Sequence, residues 1–108
     1  MKLLTKALRK KLPPLRAQED AGGRAVAYVK YFSPSGKWTW YGTEFDGEDL
    51  FFGLVCGHVK ELGYFRLSEL RQARGPMGLP IERDRGWGPK PLGEIAPELF
   101  RRKERRRT

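Results

Sequence analysis

Few side chains in this sequence are suited to covalent chemistry. The single cysteine, Cys56, and the single histidine, His58, lie two residues apart. In an extended strand this spacing places both side chains on one face, as a thiol nucleophile and its general base require. However, Cys56 lies in the most apolar run of the chain and has no orienting partner nearby, which favours a buried, unreactive thiol. One cysteine and one histidine are also too few for a usual zinc site.

Carboxylates are the second group that could do chemistry. Four of them lie within six residues, on Glu44, Asp46, Glu48 and Asp49. Such a cluster could attract a divalent cation, although its spacing is not that of a calcium-binding loop. A polar hairpin turn is the favoured explanation. Strand alternation predicts that Glu44 lies on the same side as Trp38 and Trp40.

Residues 82–85 form a second compact charged segment, Glu-Arg-Asp-Arg. An enzyme would need Glu44, Glu82 and Asp84 to converge in a cleft with shifted pKa values. The favoured interpretation is a salt-bridge network at a sheet edge that includes Arg83. Since the sequence also has no nucleophile elbow, phosphate-binding loop or dinucleotide fingerprint, we expect a non-catalytic protein without a metal or cofactor.

The stretch 37–46 holds two of the three tryptophans and alternates with a period of two, which predicts a central strand. Trp38 and Trp40 fall on one side of it, and Tyr41 and Phe45 on the other. One interpretation is a stacking platform for nucleic-acid bases, built from both tryptophans and Tyr41. The other is that these rings form the core of a small domain, as aromatic residues often do.

Other segments predict the strands around this one. Residues 25–32 alternate as a strand, and the turn at 33–36 joins them to the tryptophan strand as an antiparallel hairpin. The continuous apolar run 50–56 indicates a strand buried on both faces, and 63–66 indicates a further short strand. Together they predict an antiparallel meander.

Capping signals predict the helices. Thr5 can cap a helix over residues 6–12, and a second helix is expected near 69–74. The predicted fold class is therefore α+β: a small antiparallel sheet, a meander of about four to five strands, with short helices at the N-terminus, near 69–74 and at the C-terminus. We expect one domain over 1–95 and a basic C-terminal helix or tail over 96–108.

The net charge of +9 is concentrated at the two ends of the chain. Residues 1–16 carry +6 and residues 101–108 carry +5, whereas 17–100 carry −2. Basic ends favour weak, sequence-independent binding of DNA or RNA. The residues predicted to bind nucleic acid are Lys2, Lys6, Arg9, Lys10, Lys11, Trp38, Trp40, Tyr41, Arg101, Arg102, Lys103, Arg105, Arg106 and Arg107. The alternative is a protein-interaction module that acts through an aromatic surface or the 75–91 loop.

The sequence does not favour a membrane protein. It has no stretch of about 20 apolar residues that could cross a bilayer. The N-terminus lacks the apolar core of a signal peptide, and a single cysteine fits a reducing compartment. We therefore expect a cytoplasmic location and no membrane partner.

Several segments in order resemble one protein family. They are Lys-Leu-Pro-Pro-Leu at 11–15, Trp-Thr-Trp-Tyr at 38–41 leading into Glu-Phe-Asp at 44–46, Leu-Phe-Phe-Gly at 50–53, Glu-Leu-Gly-Tyr-Phe at 61–65, and the ten residues 75–84 from Gly-Pro-Met-Gly to Glu-Arg-Asp. Over roughly residues 1–95 the chain resembles the bacterial family called domain of unknown function 2958. The resemblance implies an accessory protein of plasmids and conjugative elements, and implies no activity or catalytic residues. The basic tail lies outside it.

Overall fold

The structure is a computed structural model that describes residues 2–100. Its helices and strands are α1 (Lys6–Lys11), β1 (Val26–Ala27), β2 (Val29–Phe32), β3 (Thr39–Phe45), β4 (Leu50–Cys56), β5 (Lys60–Arg66), α2 (Leu67–Gln72), β6 (Glu82–Arg83), β7 (Lys90–Pro91) and α3 (Leu92–Ile95). Single 3₁₀ turns lie at Gly22–Arg24, Pro76–Gly78 and Pro97–Leu99. Among these residues, no helix is long and apolar enough to cross a membrane.

A five-stranded antiparallel sheet in the order β5-β4-β3-β2-β6 forms the centre of the fold. The strands β2 to β5 follow one another as a meander, so the predicted α+β class and its meander are confirmed. The short strand β6 adds to the free edge of β2, so residues 82–83 lie at a sheet edge. β5 begins at Lys60 and is therefore longer than the predicted segment 63–66.

The predicted strand over 25–32 is in fact two strands, β1 and β2, which belong to different sheets. The chain breaks at Tyr28, whose amide donates to the carbonyl of Gly42 at 2.9 Å. β1 then pairs with β7, which lies at the end of the segment predicted to be the 75–91 loop. Pro91 fits there because a strand at an edge can lack an amide donor.

Helix α2 begins at Leu67, two residues earlier than predicted. The reason is a cap from elsewhere in the chain. The carboxylate of Asp49 accepts hydrogen bonds from the amide of Ser68 at 2.8 Å and from its hydroxyl at 2.7 Å. Glu69 in turn accepts a hydrogen bond from the amide of Arg66. Acceptors therefore reach the first turn from both sides.

A β-bulge between Gly42 and Glu44 reverses the alternation of β3. Before the bulge, Trp40 pairs with Val55; after it, Phe45 pairs with Phe51. Both partners point to the same face of β4, so Phe45 shares a face with Trp40. The extra residue turns Glu44 to the opposite face. The predictions that Glu44 lies beside the tryptophans and that Phe45 lies beside Tyr41 are therefore wrong.

Each face of the sheet carries its own hydrophobic cluster. The first face is covered by residues 2–12 and 66–74, which contribute Leu3, Leu4, Leu12, Leu67 and Leu70 to a core around Phe45, Phe51 and Phe65. The second face is covered by the C-terminal segment, where Leu92, Ala96, Leu99 and Phe100 pack against Tyr41 and Leu54. We call residues 2–12 together with 66–74 the helical layer.

β3 and β4 approach each other closely at Gly53. A Cβ atom at Gly53 would overlap the carbonyl oxygen of Tyr41, whereas one at Gly63, opposite it on β5, would meet open space. Because backbone cannot yield as a side chain does, we expect Gly53→Ala to lower the free energy of unfolding by about 1–3 kcal/mol or more. Gly63→Ala is the matched control and should be close to neutral. Urea unfolding of both variants checks this, and equal effects would contradict it.

Candidate nucleic-acid interface

The helical layer is held down by its leucines. In α1, the hydroxyl of Thr5 accepts a hydrogen bond from the amide of Leu8 at 3.2 Å, which confirms the predicted cap. Leu4 and Leu12 are buried at the two ends of this helical segment, and Leu70 is buried in α2. Because the apolar side of each helix faces the sheet, the remaining side chains point to solvent.

The outer surface of the helical layer is strongly basic. It carries one acidic residue, Glu69, and eight basic residues, a net charge of +7. The basic residues, all exposed, are Lys2, Lys6, Arg9, Lys10, Lys11, Arg66, Arg71 and Arg74. The rest of the described chain holds eight basic and eleven acidic residues, a net of −3. The fold therefore separates charge and concentrates positive charge on one face.

Several arginines of this surface make contacts within the protein. The guanidinium of Arg9 donates to the carbonyl of Gly47 at 2.7 Å, and Arg66 lies 3.8 Å from the carboxylate of Asp49. Within residues 2–100, the lysines of α1 have no carboxylate at ion-pair distance; they are Lys6, Lys10 and Lys11. These ammonium groups can therefore bind an external anion without breaking an internal ion pair.

Trp38, which directly precedes β3, and Trp40, near the start of β3, form a stacked pair. Their ring centroids are 6.0 Å apart with an interplanar angle of 26°, and His58 meets the ring of Trp38 edge-on at 5.9 Å. Trp40 packs against the first cluster, whereas the side chain of Trp38 is 42% exposed. One ring therefore supports the core and the other reaches solvent, and base stacking on these rings stays a prediction.

Tyr41 is not part of this pair, since it lies on the second face. Its ring packs against Trp87 at 5.4 Å, and the ammonium of Lys30 lies over it at 5.7 Å. Burial raises the pKa of the Tyr41 phenol. We therefore remove Tyr41 from the predicted stacking platform.

The predicted polar cluster is not brought together. Glu44, only 4% exposed, accepts hydrogen bonds on the second face from the amides of Arg16 at 2.7 Å and Gln18 at 2.8 Å. Glu82 lies near the opposite end of β3, because its partner Phe32 pairs with Thr39. Glu44 and Glu82 therefore do not converge in the cleft that a carboxylate enzyme needs.

The other members of that cluster have separate roles. Asp84 forms an ion pair with Lys30 at 3.7 Å, and the guanidinium of Arg83 donates to the carbonyl of Lys2. The second contact ties β6 to the start of the helical layer. The charged segment therefore does lie at a sheet edge, as predicted, but its ionic contacts reach outward to other elements.

In the acidic turn after β3, a carboxylate accepts hydrogen bonds from backbone amides. Asp46 accepts hydrogen bonds from the amides of Glu48, Asp49 and Leu50 at 2.8, 2.8 and 3.0 Å. These bonds lower the pKa of Asp46, and the bonds from Ser68 lower the pKa of Asp49. In the part of the chain that the structure describes, no group of three His, Cys, Asp or Glu residues is placed to hold a metal ion.

These lowered pKa values predict a loss of stability in acid. A carboxylate whose folded-state pKa is below its unfolded value stabilises the protein above the unfolded pKa, and this is lost as the pH falls through the folded pKa. We expect the thermal midpoint to fall below about pH 4. Asp49→Asn should lower the midpoint near neutral pH and weaken its dependence on pH. Thermal melts across this range, with Glu48→Gln as the control, check it; superimposable Asp49→Asn and wild-type profiles would contradict it.

Cys56 and His58 do not form a catalytic pair. Cys56 packs into the second cluster, whereas His58 lies against Trp38, and no hydrogen bond joins the two in the described structure. Burial raises the pKa of the Cys56 thiol, which is the opposite of what activates a nucleophile.

Two features of the site were not predicted from the sequence. One is the contribution of Arg66, Arg71 and Arg74, in and around α2, to the basic face. The other is a half-open cavity of about 400 Å³ on the second face, lined by Glu44, Phe52, Leu62 and Tyr64 among others. Extending the alternation of 63–66 back to Lys60 would have indicated the longer β5 and its exposed Leu62. The predicted tail cations Arg101, Arg102, Lys103, Arg105, Arg106 and Arg107 lie outside the described residues.

The fold and its charge distribution define a small α+β protein with one basic helical face. Residues 3–96 match a family model described as "Protein of unknown function (DUF2958)". Because the match spans most of the chain, the protein belongs to this family, and the predicted resemblance is confirmed. Comparisons with curated proteins and with solved structures found no match.

Proposed function

We propose that this protein is a non-catalytic accessory protein of a mobile genetic element that binds nucleic acid weakly and without sequence preference. The helical layer and the basic C-terminal run would supply the contacts. The observation that supports this most is the separation of charge, +7 on the helical layer against −3 on the rest of residues 2–100. The mobile-element setting and a cytoplasmic location rest on the sequence alone.

The chemistry of the layer fits phosphate binding. Lys6 and Lys10 are one turn apart and therefore lie on the same side of α1, where a polyanion can contact both. Contacts between exposed ammonium groups and phosphates carry no sequence information, so such binding would not depend on sequence. About five contacts would give a salt slope near −3.5 for single-stranded nucleic acid.

The test compares the full chain with a form that ends at Phe100. We choose Phe100 because Leu99 and Phe100 pack against the second cluster, so an earlier end would disturb the fold. Fluorescence anisotropy with labelled oligonucleotides over a salt series should show binding by both forms, with a shallower slope for the shorter one. If the shorter form does not bind at low salt, the helical layer is not a binding site and only a basic tail remains.

A second candidate function, docking of an extended peptide, is favoured by the free edge of β5. The amide of Leu67 donates to the carbonyl of Asp49 at 2.8 Å, so by alternation the backbone groups of Leu62 and Tyr64 point away from β4. In residues 2–100 no strand pairs with that edge. A peptide added there as a strand could place an apolar side chain in the neighbouring cavity.

A peptide-display selection against the protein tests this candidate. We expect selected peptides with alternating apolar residues whose binding is lost with Leu62→Pro, which removes an outward amide and leaves the pairing with β4 intact. Selection of no such peptides, or binding that survives Leu62→Pro, would contradict it.

A further inference from the structure

The loop after α2 holds an apolar residue out in solvent. Arg74 and Pro80 form an isolated bridge, and the amide of Gly75 donates to the carbonyl of Leu79 at 2.8 Å. Met77 occupies the left-handed region, with φ of 67°, and is 89% exposed. Because these backbone contacts close the loop, the Met77 side chain extends into solvent and does not pack on the core.

The same loop is fixed against the turn that precedes Trp38. The hydroxyl of Ser35 donates to the carbonyl of Pro76, and a Cβ atom at Gly36 would lie 3.2 Å from the Pro76 ring. The loop and the turn are thus in direct contact. The turn and the loop carry the exposed apolar side chains of Trp38, Met77 and Leu79, which we call the apolar tip.

Two cations flank the apolar tip along the chain. Lys37 directly precedes Trp38 in the turn, and Arg74 forms the base of the loop. Arg74 donates to the carbonyls of Arg71 and Ala73, so its guanidinium stays near the end of α2. The loop that carries Met77 and Leu79 therefore begins at the basic surface of the helical layer. An apolar surface between cations fits a ligand that carries apolar faces on an anionic chain.

We propose that the apolar tip contacts unpaired bases, so that single-stranded nucleic acid is the preferred ligand of the helical layer. This inference rests on the proposed function. Unpaired bases expose faces on which a ring such as Trp38 can stack, and they do so whatever their sequence. In a duplex the same faces are covered by neighbouring bases, and uncovering them has a cost. One stacked base strengthens binding by roughly tenfold.

The test measures the affinity of the full chain for a labelled single strand and for its duplex at one low salt concentration. We expect the single strand to bind roughly tenfold more tightly. Trp38→Ala and Met77→Ala should each weaken single-strand binding and leave duplex binding nearly unchanged. Met77→Ala keeps the test valid if Trp38→Ala disturbs Trp40, because the Met77 side chain is almost wholly exposed. Tyr64→Ala, at an exposed ring on the second face, is the matched control and should change neither affinity.

The possible results separate this inference from the proposed function. Equal affinity for both ligands would overturn the inference and leave phosphate binding by the helical layer standing. No binding of either ligand would overturn both. A cationic surface with exposed Trp, Met and Leu also suits an anionic membrane. Binding to phosphatidylserine vesicles that is lost with Met77→Ala, without a preference for single strands, would overturn the inference in favour of a lipid surface.

Discussion

Glu44→Ala is expected to lower the free energy of unfolding by about 3–5 kcal/mol. Glu44 is buried, and its carboxylate accepts hydrogen bonds from the amides of Arg16 and Gln18. Alanine would leave both amides without their acceptor. The variant would also detach the segment around Arg16 from the sheet. Arg16 has a left-handed backbone conformation, with φ of 76°, which the bonds to Glu44 help to hold.

Urea unfolding of two further variants sharpens this prediction. Glu44→Gln keeps one acceptor oxygen and should cost about half as much as alanine. Glu48→Ala removes an exposed carboxylate from the same acidic turn and should be nearly neutral. If Glu44→Ala costs no more than Glu48→Ala, the hydrogen bonds of Glu44 do not hold that segment to the sheet.

Neutralising Lys10 and Lys11 together should weaken nucleic-acid binding on the order of tenfold at low salt. Both lysines are exposed in the last turn of α1. Each phosphate contact on a single strand contributes about 0.7 to the salt slope, so Lys10→Gln/Lys11→Gln should make the slope shallower by about 1.4. Anisotropy titrations over a salt series measure both quantities.

The matched control removes the same charge away from the helical layer. Arg24→Gln/Lys90→Gln also neutralises two exposed cations, both in segments that pack on the second face. If binding depends on the position of charge, this control should keep most of the affinity and the slope. Equal losses in the two double variants would show that total charge alone governs binding, and would contradict an interface on the helical layer.

Local signals explain what could be predicted from the sequence. Thr5 and the leucines of α1 lie within one short helix, and the β2–β3 hairpin depends on a turn of a few residues. Patterns of this kind need no knowledge of distant contacts. The meander, the first helix and the edge position of residues 82–83 were predicted for that reason.

Contacts between distant residues explain what could not be predicted. The start of α2 depends on Asp49, which is 19 positions from Ser68. One extra residue in β3 moved Glu44 to the second face, and no composition signal marks such a bulge. The basic face depends on α1 and α2 packing over the same side of the sheet. In the sequence, the arginines of 66–74 belong to the segment 17–100, whose net charge is only −2 and which gives no sign of a basic face.

The measurement that tests nucleic-acid binding by the helical layer most directly is an NMR titration. Amide spectra of the ¹⁵N-labelled full chain would be recorded at low salt as an unlabelled single-stranded oligonucleotide is added. We predict that the largest shift changes fall in residues 2–12 and 66–74, and that added salt reverses them. Changes confined to residues 101–108, changes centred on β5 and its cavity, or no changes at all would contradict an interface on the helical layer.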